Sequence, residues 1–391
     1  MSLELRLHEG LGGIAAADWD RLGGDRDPFL SHAFLHALET TDCLEPYGWH
    51  PRHLVVHDSD GRPLAAMPLY VKTNSYGEFV FDWSWAGAYE RQGLDYYPKL
   101  VSSVPYTPAT GHRLLCAPDA PDPQALRDVL VQQAIGIAHD NGMSGMHWLF
   151  TPSEETDGLL HHGLMRRMGC QYHWHNHDYA DFDAFLADFS SHKRKKLRRE
   201  RRRVAEDGVT LHTLHGDEAP QEVIDTFHRF YLDTFERHMG LPTLSREFFH
   251  SVATGLGHRF LLVMAEHGGE WVAGAVNFRS DETLYGRYWG CRDETFHSLH
   301  FEACYYQGIE YCIEHGLQSF EPGAQGEHKI SRGFLPTPTW SAHWIADEGM
   351  RPHLETFCRR EEQMMRAQCA ELHAHSPFKA DLNRGGLPPS A

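Results

Sequence analysis

The sequence has no paired cysteines, no long apolar run and no excess of positive charge. Its eight cysteines (43, 116, 170, 291, 304, 312, 358 and 369) are scattered with no CxxC among them, which fits reduced, mostly buried thiols better than a disulfide frame or a zinc knuckle. Nowhere do ~18 consecutive residues lack charge, so no membrane span is expected. The opening MSLELRLHEGLGG has neither a basic n-region nor an apolar h-region, so no signal peptide is expected and the cytoplasm is the default location. HExxH, GxSxG, GxGxxG and GxxxxGK[ST] do not occur. Zinc-protease, α/β-hydrolase, dinucleotide and P-loop readings therefore lack their markers. Lys plus Arg number 36 against 54 Asp plus Glu, a net charge of −18, so polyanions are repelled unless the positive charge is concentrated somewhere.

It is concentrated. From Lys193 to Arg203 the chain reads KRKKLRRERRR, which places nine of the 36 basic residues in eleven positions. On a helix this run puts positive charge on nearly every side, with Leu197 and Val204 as its only apolar anchors, and like charges at i,i+4 repel. Two readings follow. A solvated helix with many intramolecular partners is the plainer one, and contact with a polyanion (RNA, a sugar nucleotide or a lipid pyrophosphate) is the other. The candidate phosphate-binding residues are Lys193, Arg194, Lys195, Arg198 and Arg199.

A chain of 391 residues exceeds the ~250–300 at which one core stops growing, so two domains are expected. Apolar residues at 41% and charged residues at 23% exclude a disordered, collagenous or coiled-coil chain. In the first half, SHAFLHALETT reads as a helix capped by Ser31, with Phe34, Leu35 and Leu38 on one face. His53 to His57 and Leu64 to Lys72 read as a hairpin turning at Asp58 to Gly61. A loop from Asn74 to Thr110, a helix from Pro123 to Asn141 and the strand GMHWLF follow. After His173 come helical segments carrying the basic run, helices at Val223 to His238 and REFFHSVATGLG, and a hairpin turning at Gly268 and Gly269. Then follow the strand ETLYGRYWGC, the helix FEACYYQGIEYCIEHGL and the strand QSFEPG. The halves agree in order, which predicts two copies of one α/β unit. The expected fold is α/β (α+β), a mixed sheet flanked by helices in each copy. Its expected domains are residues 1–180 and 181–375, with 376–391 as a flexible tail.

Residues 319–334, SFEPGAQGEHKISRGF, form the second focus. A strand ends in a turn containing Gly323 and Gly326 and then presents Glu327, His328, Lys329 and Arg332. Glycine lets a backbone approach a ligand closely, and Lys329 and Arg332 suit an anion or a developing oxyanion. Gln325 and His328 join them as substrate contacts. Glu321 is the candidate general base or amine-orienting group, while Glu302 reads rather as an ion-pair partner. Tyr285 and Arg287, on the third strand of the second half, are placed on the cleft wall. In the first half Asp82, Tyr89, Arg91, Tyr96, Tyr97 and Lys99 have the composition of a binding surface. His173, His175 and His177 alternate on one strand face, ~6.6–7 Å apart, too far for three to share one ion, so no metal site is assigned.

The strings FVFDWSWAGAYERQGLDYYPKLV, VPYTPATGHRLL, SSHKRKKLRRERRRV, LYGRYWGC and FEPGAQGEHKISRGFLPTPTWSAHW resemble a bacterial group of N-acyltransferases, the FemAB-like peptidoglycan-biosynthesis family of the GNAT superfamily. The resemblance implies tandem GNAT-like folds and an acyltransferase that moves an acyl or aminoacyl group onto an amine of a peptidoglycan precursor. It also implies that Lys329, in KISRGF, matches a lysine that contacts the reacting groups. The donor is left open between aminoacyl-tRNA and acyl-CoA. No long coiled-coil arm for tRNA is present, and no R/Q-x-x-G-x-G/A loop for coenzyme A occurs, the nearest strings being RQGLD at 91–95 and GCRDE at 290–294. Acetyl-CoA-dependent acetylation of a small amine, or a non-catalytic binding protein for a phosphorylated precursor or RNA, are the alternatives. No DNA partner is expected, and peripheral membrane contact is left open.

Overall fold

Alternating and helically spaced apolar residues build two similar α/β units. The computed structural model describes residues 3–24, 26–293, 295–324, 326–379 and 382. By contacts the chain divides into Met1–Cys170 with Pro338–Ala367 and Gln171–Thr337 with Gln368–Ala391. A single boundary at residue 180 therefore omits the return of 338–367 to the first unit. Pairing explains that return, because Trp340 to Ile345 hydrogen-bond to Gly145 to Thr151.

In the first unit, β1 (Glu4–His8), β3 (His53–His57), β4 (Pro63–Met67) and β7 (Leu115–Cys116) form one antiparallel sheet in the order β1-β3-β4-β7. A second group contains β2 (Trp49–Pro51), β5 (Tyr70–Lys72), β6 (Lys99–Ser102), β8 (Gly145–Thr151) and the last residues of β15 (Leu335–Ile345). Within it β6 and β8 run parallel, with Leu100 opposite Met146. Ser31 caps α1 (His32–Thr40), its Oγ accepting the Phe34 amide at 3.2 Å. Asp122 caps α3 (Pro123–Asp140) through the Ala125 amide at 3.0 Å, and proline occupies the first helical position, where it costs no hydrogen bond. Leu126, Leu130 and Ala134 of α3 pack on Leu54, Leu64, Leu100 and Trp148, which fixes the core of this unit, and α4 (Ser153–Leu160) follows β8.

Two first-half expectations are corrected. The strand expected over Leu64 to Lys72 is two strands in different sheets, β4 and β5, broken at Pro68, which has no N–H to donate to a ladder. The expected loop from Asn74 to Thr110 contains α2 (Trp83–Arg91) as well as β6. Aromatic residues and glycine give WSWAGAYER a weak intrinsic helix preference. Burial of Trp85 and Tyr89, one turn apart, supplies what propensity does not.

In the second unit the sheet order is β10 (Val209–His215), β11 (Phe260–His267), β12 (Glu270–Arg279), β13 (Thr283–Cys291), β14 (Ser319–Glu321) and the end of β9 (Met165–His175). All neighbours are antiparallel except β13 and β14. The helices are α5 (Phe182–Ala187), the basic α6 (Ser191–Glu206), α7 (Gln221–Arg237), α8 (Arg246–Leu256) and α9 (Gln307–Glu314). A π-helical turn over Glu302–Tyr306 leads into α9. The core is aromatic: Trp174, Phe185, Phe189, Tyr306, Phe320 and Phe334 surround Leu197 and Ile309. Both units thus run strand, helix, hairpin, strand, helix and parallel strand, as the internal repeat predicts. Residues 376–379 are not a loose tail. Phe378 bridges Phe189, their rings 4.8 Å apart, and the Lys379 amide donates to the Asp188 carbonyl at 2.9 Å. Of the expected tail, residues 380, 381 and 383–391 lie outside the described residues. The last helix, α10 (Met350–Ala374), begins in the first unit and ends in the second.

Candidate active site

The candidate site of the second unit lies where the parallel pair of β13 and β14 ends. β13 and β14 pair over Thr283–Ser319, Leu284–Phe320 and Tyr285–Glu321, and then Pro322, which cannot donate, turns the chain. On its other side β13 carries a bulge: Gly286 lies opposite Asn277 and Tyr288 opposite Val276, so Arg287 is the extra residue. A bulge re-aims a side chain that regular alternation would place elsewhere. Here it places Arg287 on the wall of a cavity of about 120 Å³, with Asn277, His300, Cys304, Tyr305 and Pro322 among its other lining residues. Burial pulls the Arg287 guanidinium below its ordinary pKa, with the charge of Glu321 acting in the opposite sense.

The glycine-containing turn delivers Lys329 to this region. Gly323 and Gly326 have φ of 92° and 117°, where a side chain would be strained. A 3-10 helix over Glu327–Arg332 follows and buries Lys329 to 3% exposure. Its Nζ donates to the Gly323 carbonyl at 2.8 Å, which closes the turn on itself. Burial lowers the Lys329 ammonium to about 8; the Cys304 side chain opposes that shift and the Arg287 charge adds to it. Glu321 at the end of β14 has Oε1 4.0 Å from His173 Nδ1. His173 is buried, held to about 3 by desolvation, and so neutral beside that carboxylate. His328 is exposed, with Nε2 2.9 Å from the Tyr305 hydroxyl.

Arg332 needs correction. Its guanidinium donates to both oxygens of Glu200 at 3.0 Å and to the His328 carbonyl at 2.9 Å, and it lies 3.3 Å from the Phe301 ring centroid. A charge neutralised by a buried carboxylate and covered by an aromatic ring is not available to a substrate anion. Arg332 instead fastens the turn to α6. Glu200, the single acid inside the basic run, is the signal in the sequence that could have shown this. Glu302 is an ion-pair partner, as expected: Arg201 joins it at 3.0 Å and Glu310 at 2.6 Å while lying over Phe182. His300, Cys304 and Tyr305 were not singled out in the sequence, because the helical spacing of FEACYYQ reads as plain core. Gln325 lies outside the described residues.

The basic helix divides by charge pairing. Leu197, Glu200 and Val204 are buried, so the two apolar anchors hold as expected. Arg198 pairs with Asp183 at 2.7 Å, Arg201 with Glu302 and Glu310, Arg202 with Glu206 and Lys196 with Glu200. Lys193, Arg194, Lys195, Arg199 and Arg203 make no ion pair among the described residues. Two of these five, Lys193 and Arg194, lie in the first turn, which holds no acidic residue and lies at the positive end of the helix dipole, and Lys195 follows them. In the first unit, the residues read as a binding surface are largely internal: Asp82, Tyr89, Tyr96 and Lys99 are buried, while Arg91 is exposed.

With this geometry in place, the comparisons decide the family. The sequence profile of FemAB-like proteins, described as peptidoglycan biosynthesis/recognition, matches residues 10–380. The chain belongs to the FemAB-like family. No curated protein sequence matches it. Among solved structures, FemX superposes with a TM-score of 0.54 at 13% identity, over 91% of this chain and 100% of that one. The C-terminal domain of a protein from Agrobacterium fabrum, named for lysylphosphatidylglycerol synthetase, gives 0.54 at 12% identity over 88% and 96%. A conserved protein of unknown function from Bacteroides thetaiotaomicron gives 0.50 at 12% over 87% and 99%. At these identities the likeness is one of fold. This FemAB-like chain has the expected mixed α/β architecture, built as two similar units. Among its described residues no helix is long and apolar enough to cross a membrane, and no group of three or more His, Cys, Asp or Glu could hold a metal ion.

Proposed function

We propose that this FemAB-like protein is an N-acyltransferase whose reaction takes place in the second unit, beside Lys329 and Arg287. The observation that carries the reading is the buried Lys329 ammonium, fixed on the Gly323 carbonyl next to the cavity that the Arg287 bulge faces. The amine of the acceptor attacks the acyl carbonyl of an activated ester or thioester. A C–N bond forms, the C–O or C–S bond to the donor breaks, and the leaving oxygen or sulfur departs with its electron pair. The developing oxyanion needs fixed positive charge in a dry site, where such charge is worth most. Lys329 and Arg287 supply it. Glu321 orients the amine or takes its proton, and with a reactive ester water can take the proton instead.

A phosphate-bearing donor fits the first turn of α6. Arg194 and Lys195 stand four residues before Arg198 and Arg199, a like-charge spacing that costs stability, Lys193 and Arg194 oppose the helix dipole, and a polyanion relieves both costs. This favours aminoacyl-tRNA over acetyl-CoA, for which the chain has no recognisable pyrophosphate loop. The acceptor in this reading is an amine of a peptidoglycan precursor, in line with the family description. The test incubates the full chain with charged tRNA or acetyl-CoA and a precursor nucleotide, and reads product mass. A new amide that disappears in Lys329→Ala supports the proposal. Thermal stabilisation by these compounds without product from any donor refutes catalysis and leaves a binding protein.

A further inference from the structure

Residues 73–85 of the first unit are inside out. Ser75, Glu78, Asp82 and Trp85 are buried, whereas Tyr76, Phe79, Phe81 and Trp83 are 59, 37, 43 and 56% exposed. Water alone selects the reverse, with acids outside and rings inside. From Thr73 to Ser84 the exposed surface carries no charge at all, since Glu78 and Asp82, its only ionisable acids, both bind the buried Lys99.

The exposed rings do not result from a slack loop, because each part of the segment is held from beneath. Lys72 Nζ donates to the Tyr76 carbonyl at 3.1 Å, and the Tyr106 amide donates to the Gly77 carbonyl at 3.1 Å. Arg167 donates to the Val80 and Phe81 carbonyls at 2.8 and 3.3 Å and is itself clamped by Glu361. The Tyr96 hydroxyl donates to Asp82 at 2.6 Å. Phe79 and Phe81 sit at φ of 61° and 47°, a left-handed conformation unfavourable for bulky side chains. The fold therefore accepts backbone strain and buried ion pairs, and the result is four rings presented outward in a fixed array, with Phe81 and Trp83 5.5 Å apart.

We propose that this aromatic face inserts into the interfacial layer of a lipid bilayer and docks the protein there without spanning it. Two observations favour a bilayer over another protein. The four rings offer roughly 400 Å², about half of the ~800 Å² per partner that a stable protein interface needs, whereas interfacial insertion has no such threshold. The chemistry also matches: Trp and Tyr, apolar bodies with polar tips, are the side chains of membrane–water interfaces. An uncharged face on a chain of net charge −18 implies binding by apolar burial rather than by attraction to anionic headgroups.

The experiment is flotation of the full chain with vesicles of phosphatidylcholine alone and of phosphatidylcholine with phosphatidylglycerol, at low and high salt. The expected result is flotation with both compositions, unchanged by salt, and at least about tenfold weaker partitioning in the Phe79→Ser, Phe81→Ser, Trp83→Ser variant. Met239→Ser, which changes an exposed apolar residue elsewhere, should float like the parent. An unaltered melting temperature excludes unfolding of the triple variant. Three results overturn the proposal: no flotation, equal flotation of the triple variant, or flotation confined to anionic vesicles and abolished by salt. A dimer of the parent that the triple variant dissolves also overturns it and assigns the face to self-association.

Discussion

Replacing Lys329 with Met should separate stability from turnover in opposite directions. The side chain is 3% exposed, and burial takes its ammonium from 10.5 to about 8, which corresponds to about 3 kcal/mol against the charged form. Below about 8 the folded and unfolded chains both carry this proton, so the whole penalty acts at neutral pH. Between about 8 and 10.5 only the unfolded chain retains it, so the unfolded state binds more protons and stability rises with pH. Methionine removes the charge at similar volume but leaves the Gly323 carbonyl without its donor, a loss of about 1–2 kcal/mol. The net expectation at neutral pH is a variant about 1–2 kcal/mol more stable, whose denaturant midpoint no longer climbs above pH 8. Turnover in an acyl-transfer assay should fall by about 10²–10³-fold, the effect of removing one preorganised oxyanion donor. The parent's rate should decline as pH rises through about 8, because the ammonium is the working form. A rate that rises through the same pH would make Lys329 a base, and unchanged turnover in the variant would refute its place in the reaction.

Glu200→Ala should cost about 3–5 kcal/mol in a denaturant melt, since it strands the buried Arg332 guanidinium, and replacing both residues with Met should recover most of that loss. If the double variant is as unstable as the single one, the ion pair is not what holds the turn to α6. Converting Lys193, Arg194 and Lys195 to Gln should lower the slope of log affinity for tRNA against log salt by about 2, with no loss of stability; an unchanged slope would place the polyanion elsewhere. His173, held neutral to about 3 by burial, should show no imidazole titration by NMR across the neutral range, and a midpoint near 6.5 would contradict its desolvated position beside Glu321.

The repeat, most helices and both hairpin turns could be read from spacing, because α3, α7 and α8 each bury one stripe and stop within three residues of a glycine. What could not be read depends on partners distant in sequence. Arg332 looks like a free cation until Glu200, 132 positions earlier, is brought to it. α2 has no strong helix preference and forms because Trp85 and Tyr89 find a buried face. The Arg287 bulge is invisible in LYGRYWGC, where strict alternation fits equally well; only the register against β12 shows it. The basic run was correctly placed on a helix, but which of its cations are spent on carboxylates depends on Asp183, Glu302 and Glu310, all outside the run. Asp82 was legible as a residue and misread as surface, because polarity is the usual guide to exposure and segment 73–85 inverts it.

Duplication explains why chemistry is assigned to one unit only. Each copy has a parallel strand pair following its hairpin, β6 with β8 and β13 with β14. In the first copy the pair runs from Leu100–Met146 through Val101–His147 to Ser102–Trp148, and every one of these residues is buried. His147 and His343, whose Nδ1 atoms lie 2.7 Å apart, fill the space beside it, and burial lowers both imidazole pKa values, that of His147 to about 3. Lys99 at the start of β6 is enclosed by Glu78 and Asp82, so its charge is balanced on site. In the second copy the corresponding pair is equally short, but a proline and a glycine turn follow it, and the bulge directs Arg287 to the cavity wall. The same topology is thus followed by charges paired on site in one copy and by the turn that carries Lys329 in the other. In the reaction proposed above the Lys329 ammonium serves the acyl oxyanion, whereas Lys99 is already held by two carboxylates.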